Sequence, residues 1–293
     1  MSKLNYTEVF YSIQGEGRYM GVPSVFLRMF GCNFRCKNFG RYKQDILDQD
    51  VTHNPEVIEI IKNIDQYTTF KDLPLVSTGC DSYSSIYPEF KKFVVKESSA
   101  DLADRIAAII PHKEWRDEHL VITGGEPLLG WQRAYPDLLE HDKMRSLKEI
   151  TFETNGTQKL TEEFKAYLRE WSRTRKLFAQ GGEITFSVSA KLPCSGEKWE
   201  DAICPQVVCE YEQVGTAYLK FVVANEQDFA DAERAVAEFR AAGFTGHVYL
   251  MPVGGVESVY ALNNKAVALM AMAAGLRYSD RLQVPLFKNA WST

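Results

Sequence analysis

The chain has 293 residues, of which 45% are hydrophobic, 25% charged and 12% aromatic, and this composition excludes a disordered, collagen-like or coiled-coil chain. Thirty-four basic against thirty-nine acidic residues leave a net charge of −5, whereas strong nucleic-acid binders carry a basic excess that displaces phosphate counterions. The longest apolar run, Ala266 to Leu276, is far short of the roughly 20 residues of a spanning helix, and Met1-Ser2-Lys3-Leu4-Asn5-Tyr6 lacks the apolar core of a secretory signal. A cytoplasmic protein acting on a small molecule is therefore expected, with neither nucleic acid nor membrane as partner.

In chain order, short β-branched or apolar runs alternate with helical patterns. Ser24 to Met29 reads as a strand running into Gly31. Lys37 to Gly79 breaks the rhythm, with one short helical pattern (Glu56 to Ile64), and reads as a loop insertion in a single domain spanning 1–293. Ser98 to Ile110 predicts a helix, with Leu102, Ile106, Ile109 and Ile110 on one face. Leu120 to Thr123 is a buried-type strand stopped by Gly124-Gly125, and Ile150 to Thr154 another, ended by Asn155-Gly156. Thr161 caps a helix to about Trp171. Ile184 to Ser189 and Tyr218 to Val223 are strands, and Asp228 to Ala242 is a helix stopped by Gly243. Val248 to Met251 is a strand, and Ser258 to Ala274 a helix. Six strands separated by helices predict an α/β fold with a parallel sheet, whose ligand site gathers at the carboxyl ends of the strands.

The six cysteines, in a chain with no export signal, read as reduced thiols, metal ligands or core residues. Cys32 and Cys36 follow the first predicted strand in Gly31-Cys32-Asn33-Phe34-Arg35-Cys36, close enough in sequence to reach one metal centre. Cys194, Cys204 and Cys209 fit no metal-binding spacing and no nearby histidine completes a set, so packed or exposed thiols are expected there. No nucleophile elbow, zinc-protease helix, P-loop or dinucleotide fingerprint is present.

Gly31 to Cys36, Gly124-Gly125-Glu126-Pro127 and Glu153-Thr154-Asn155-Gly156, each after a predicted strand, together resemble the radical S-adenosylmethionine superfamily. Ser12-Ile13-Gln14-Gly15-Glu16-Gly17, Pro23 to Arg28, Gly31-Cys32-Asn33, Ile122 to Pro127 and Glu153 to Thr157 are more specific and resemble the 7-carboxy-7-deazaguanine synthase family. Ser187-Val188-Ser189-Ala190-Lys191 is similar to its S-P-K stretch, with Ala190 where proline is usual, and Arg277-Tyr278-Ser279 with Arg281 to Val284 looks like its carboxyl-terminal strand. The resemblance covers almost everything except the insertion and Cys194 to Gln213. One position departs: three residues after Cys36 stands Phe39, not cysteine. Gly79-Cys80-Asp81-Ser82 reads like the family's ending of the cluster loop, so Cys80 is taken as the third ligand, with 43 residues intervening. Loop-closure entropy rises only logarithmically with length and does not forbid this.

The resemblance implies a partial (β/α)6 TIM-like barrel carrying a [4Fe–4S] cluster on Cys32, Cys36 and Cys80, with one iron left open for S-adenosylmethionine. It implies a lyase converting 6-carboxy-5,6,7,8-tetrahydropterin to 7-carboxy-7-deazaguanine with loss of ammonia. The residues facing this pterin would be Ile13, Gln14, Gly15, Arg28 and Thr123, with the Arg28 fork on the substrate carboxylate. Ser82 would ligate Mg²⁺. Asp81, Gly125, Glu126, Glu153, Ser189, Ala190 and Lys191 would serve the S-adenosylmethionine side. An electron donor such as flavodoxin and a homodimer are implied as well. Two other readings stay open on sequence: a glycyl-radical-enzyme activase, and a cluster-free degenerate relative that only binds.

Overall fold

Strand β1 (Lys3–Ile13) alternates enough to bury Leu4, Tyr6 and Phe10 while leaving Lys3 exposed, and it pairs antiparallel on both edges, with β2 (Pro23–Met29) and with β3 (Val95–Ser98). The computed structural model describes residues 2–41, 53–178 and 181–293. Beyond β2 the sheet is parallel: β4 (His119–Gly124), β5 (Glu149–Thr154), β6 (Glu183–Val188), β7 (Thr216–Val223), β8 (Val248–Pro252) and the short β9 (Arg277–Tyr278) follow in sequence order. The nine strands lie in the order β3-β1-β2-β4-β5-β6-β7-β8-β9. The edge strands β3 and β9 are not paired with each other, so the sheet is not a closed barrel.

The helices, in chain order, are α1 (Pro55–Lys62), α2 (Ser99–Ile109), α3 (Tyr135–Leu139), α4 (Glu162–Phe178), α5 (Trp199–Ala202), α6 (Pro205–Glu212), α7 (Glu226–Ala241), α8 (Glu257–Ala273) and α9 (Gln283–Phe287). Four of the starts follow side-chain capping chemistry, at Asn54, Ser98, Thr161 and Asn225. Ser98 accepts from the Asp101 amide at 3.1 Å, and Thr161 from the Phe164 amide at 3.2 Å. Helix α7 begins two residues before the predicted start because Asn225 caps it, accepting from the Asp228 amide at 3.0 Å.

Helices cover the parallel strands, which are buried along their length: Leu120, Val121 and Ile122 are inaccessible. An aromatic column strengthens this core, with Phe152 stacked on Phe186 (5.6 Å) and Phe186 on Tyr211 (4.5 Å). Burying each such side chain stabilises by about 1.5–3 kcal/mol. A second apolar cluster stands apart, formed by Val57, Ile60, Leu73 and Val76 with Tyr83, Ile86, Tyr87 and Phe90.

All six predicted parallel strands are present. Strands β1 and β3 were not anticipated, because an antiparallel edge pair does not alternate with helices. The resemblance to a carboxyl-terminal strand holds for Arg277 and Tyr278 only: residues 283–287 form α9 instead. The helix predicted to end near Trp171 continues to Phe178, since no breaker follows Trp171 and Arg175 and Lys176 suit its carboxyl end. Residues 42–52 of the predicted insertion lie outside the described residues.

Candidate active site

The carboxyl ends of β2 and β4 to β8 line one cavity, closed on one side by the loop after β1 and on the other by the chain's last residues. Register does the first part of the work. Pairing of β2 with β4 sets Arg28 beside Thr123, and pairing of β5 with β6 sets Glu153 beside Ser187. Thr123 donates to Glu153 at 2.8 Å, and the Gln14 amide donates to the other carboxylate oxygen at 3.1 Å. Arg28 donates from Nε to Glu8 at 2.7 Å and from a terminal nitrogen to Ser82 Oγ at 2.9 Å. Burial works against its charge, but Glu8, followed by Asp81 and Glu153, outweighs this and holds the guanidinium above its usual range.

Cys32, Cys36 and Cys80 all border the cavity, in an apolar wall that includes Phe34 and Phe39. The insertion is pinched at its base: the Gly79 amide donates to Phe39 O at 2.7 Å, and Asn54 donates to Lys37 O at 3.1 Å. Cys80 therefore emerges beside Phe39, the position at which the contiguous motif fails. Burial pushes the Cys32 thiol up to about 11 and Cys80 to about 12, and raises Cys36 well above its ordinary value. Metal binding at such thiols must release protons. Among the described residues no three Cys, His, Asp or Glu side chains converge as for a single ion. A cubane asks for something else, one thiolate on each of three irons, and Cys32, Cys36 and Cys80, which border one cavity, offer three such donors.

The Gly-Gly-Glu stretch is built against the cysteine loop. The Gly125 amide donates to Met29 O at 3.0 Å, and the Glu126 amide to Gly31 O at 2.8 Å. A Cβ on Gly125 would stand 2.2 Å from Gly31 O, so only glycine allows this approach. Glu126 does not line the cavity. It is fully buried, accepting from Thr154 Oγ1 (2.7 Å), the Asn155 amide (2.7 Å) and the Leu128 amide (3.0 Å). Burial pushes its carboxyl up to about 7 despite these donors. Ala190 likewise is buried behind the wall. Ile13, Gln14, Gly15, Asp81, Ser82, Thr123, Gly125, Glu153, Ser189 and Lys191 all line the cavity, and Lys191 donates to Ser189 Oγ at 3.0 Å.

Several residues at the site escaped sequence reasoning. Glu16 is enclosed by Lys220, Arg281 (3.1 Å) and Gln283 (2.8 Å), and Arg281 also donates to Asp81 and Gly254 O. Burial would raise the Glu16 carboxyl, but Lys220 and Arg281 pull it down to about 2. Lys220 left a readable signal, a lone charge within a buried strand. Arg281 left none, because nothing local says that it will cross to Asp81. Asn155, in the quoted Glu153 to Thr157 stretch, donates to Asn33 at 2.9 Å and ties that loop to the cysteine loop. Cys194, Cys204 and Cys209 donate to three different carbonyls, of Val222, Asp201 and Ala242, and do not converge.

No family model matches the chain. Curated relatives do. A 7-carboxy-7-deazaguanine synthase of Halobacterium salinarum is 28% identical over 99% of this chain and 93% of its own length. Proteins of the same name from Rhodopirellula baltica (26%, covering 100% and 90%) and Pyrobaculum aerophilum (24%, covering 98% and 96%) match along their length as well. The crystal structure of QueE from Escherichia coli shares the fold, with a TM-score of 0.51 at 18% identity over 96% of this chain and 94% of that one. In sequence, along nearly its whole length, the chain resembles the 7-carboxy-7-deazaguanine synthases, and in fold it resembles QueE.

Proposed function

We propose that this protein is a radical S-adenosylmethionine lyase that converts 6-carboxy-5,6,7,8-tetrahydropterin to 7-carboxy-7-deazaguanine with loss of ammonia. The observation that carries the reading is the pinch between Phe39 and Gly79, which brings Cys80 to the cavity of Cys32, Cys36 and Arg28. The sheet is read as the open, partial (β/α)6 barrel of that superfamily, within a single domain interrupted by an insertion at about 37–79.

Cys32, Cys36 and Cys80 would hold a [4Fe–4S] cluster, and Ser82 a Mg²⁺ ion. Such a cluster would supply the electron and the site for S-adenosylmethionine that the radical chemistry needs. The chain does the rest. Arg28 grips the pterin carboxylate while Glu8 keeps the fork aimed; Ile13, Gln14, Gly15 and Thr123 border the ring. Gly125, Glu153, Asp81, Ser189 and Lys191 border the cofactor, and Glu126 and Ala190 support them from behind. The loop after β1 and residues 289–293 border the cavity and would help to shield the reacting carbon from water. An external donor such as flavodoxin would supply the electron, to a homodimer in the cytoplasm; no helix among the described residues is long and apolar enough to cross a membrane.

The test is iron and sulfide per chain after anaerobic reconstitution, with and without Cys80→Ala, followed by the pterin assay. About four irons in the native chain and loss of most of them in the variant is the expected result. Four irons in both would place the third ligand elsewhere. None in either would overturn the reading.

A further inference from the structure

The stretch from Cys194 to Gln213, outside the family resemblance, packs on the cysteine loop, with Ala202 against Phe34 and Cys36. Glu197 Oε1 accepts from two successive amides, Arg35 N at 2.8 Å and Cys36 N at 2.7 Å. Cys36 itself has φ +48°, a left-handed conformation disfavoured for an L-residue. Successive N–H groups converging on one anionic oxygen beside a left-handed residue form an anion-binding nest, normally filled by a ligand and here filled by a side chain of the same chain. Glu197 is in turn held by the tight turn before it. Its amide donates to Ser195 Oγ at 3.2 Å, and Ser195 O accepts from the Asn38 amide at 3.0 Å. Gly196 has φ +88°, and a Cβ there would press on Asn38 at 2.7 Å. The turn and the loop are therefore fitted to each other.

We infer that Glu197 is a positioning residue that moulds the interrupted cysteine loop, holding the Arg35–Cys36 backbone so that Cys36 presents its thiol to the cavity. In an uninterrupted motif the third cysteine follows at once and closes the loop. Here the chain leaves after Cys36 for 43 residues, and the Glu197 carboxylate anchors the end left behind. The inference rests on the proposed cluster site, but its consequence for Cys36 is measurable without any metal.

The experiment compares the native chain with Glu197→Ala and Glu197→Gln. In the metal-free protein, alkylation by iodoacetamide is mapped by mass spectrometry at Cys36 and Cys80, with far-ultraviolet circular dichroism as a check of folding. Cys36 is almost inaccessible. Loss of two hydrogen bonds to a charged acceptor should speed its alkylation by about tenfold or more in Glu197→Ala, with Cys80 little changed. Glu197→Gln removes the charge but keeps an acceptor, so it should stay within about threefold of native; if it instead matched Glu197→Ala, charge alone would govern the thiol and positioning would be refuted. Iron per reconstituted chain should fall in Glu197→Ala and be largely kept in Glu197→Gln. Unchanged Cys36 alkylation in folded Glu197→Ala overturns the inference whatever the iron result. A native chain that binds no iron overturns the cluster reading and leaves the alkylation result to judge Glu197. If Glu197→Ala does not fold, Gly196→Ala, which displaces the turn but keeps the carboxylate, must reproduce the fast Cys36 alkylation, and failure to do so refutes the role.

Discussion

Replacing Arg28 by alanine should do two separable things. The Arg28–Glu8 pair is mostly buried, with side-chain exposures of 18% and 2% and a 2.7 Å contact. Without Arg28, Glu8 keeps only Ser292 Oγ, at 2.9 Å, among the described residues and becomes a nearly unpaired charge in the interior. Removing one partner of such a pair costs about 3–5 kcal/mol, a large part of the 5–15 kcal/mol by which a typical domain is stable. Turnover of the pterin should also vanish, while iron content and cleavage of S-adenosylmethionine are largely kept. The second change, Glu8→Gln on top of Arg28→Ala, removes the stranded charge and should recover most of the stability but none of the turnover. Urea unfolding of the metal-free chains gives the first quantity, and product formation by the reconstituted enzyme the second. If Arg28→Ala lost under about 1 kcal/mol, the buried-pair argument would fail. If the double variant formed product at the native rate, the clamp role would fall.

Three further outcomes follow from the geometry. Glu16→Gln should be less stable than the native chain at neutral pH because it leaves Lys220 and Arg281 short of a counter-charge. The carboxyl lies at about 2 when folded and near 4.5 when unfolded, so the advantage is complete above pH 4.5 and fades as pH falls towards 2. Urea titrations of the pair of proteins at pH 7 and pH 3 that show a constant gap would refute the network's role. For Glu126 the sign is opposite. Its folded carboxyl, at about 7, sits above the unfolded value, so the native chain should lose ground against Glu126→Gln as pH rises from about 4.5 through 7. A gap independent of pH in melting experiments would show that its three donors, not burial, decide its charge. Gly125→Ala places a methyl 2.2 Å from Gly31 O and should reduce iron content and S-adenosylmethionine binding together; normal values of both, by iron assay and calorimetry, would show that this contact is not needed.

Local chemistry carried much of this protein in plain view. The six buried parallel strands were readable because β-branched runs ended in glycine or polar stops, and the helix starts at Ser98 and Thr161 because a serine or threonine stood ready to cap them. Arg28, Thr123, Gly125 and Glu153 were assigned through the family resemblance, and their strand-end positions agree with it, since in a parallel sheet those ends share one rim. What stayed illegible were relations between residues distant in sequence. The pinch of Phe39 on Gly79 joins the ends of an insertion, and no window of sequence contains both. Glu126 read as a cavity residue because its motif is local, yet its three donors come from two loops and hold it behind the wall. Arg281 meets Asp81, and Glu197 meets Cys36, across 200 and 161 residues. Sequence set the elements and the chemistry at their ends through short-range backbone and side-chain preferences; only the packing of those elements decided which distant charges and amides would meet.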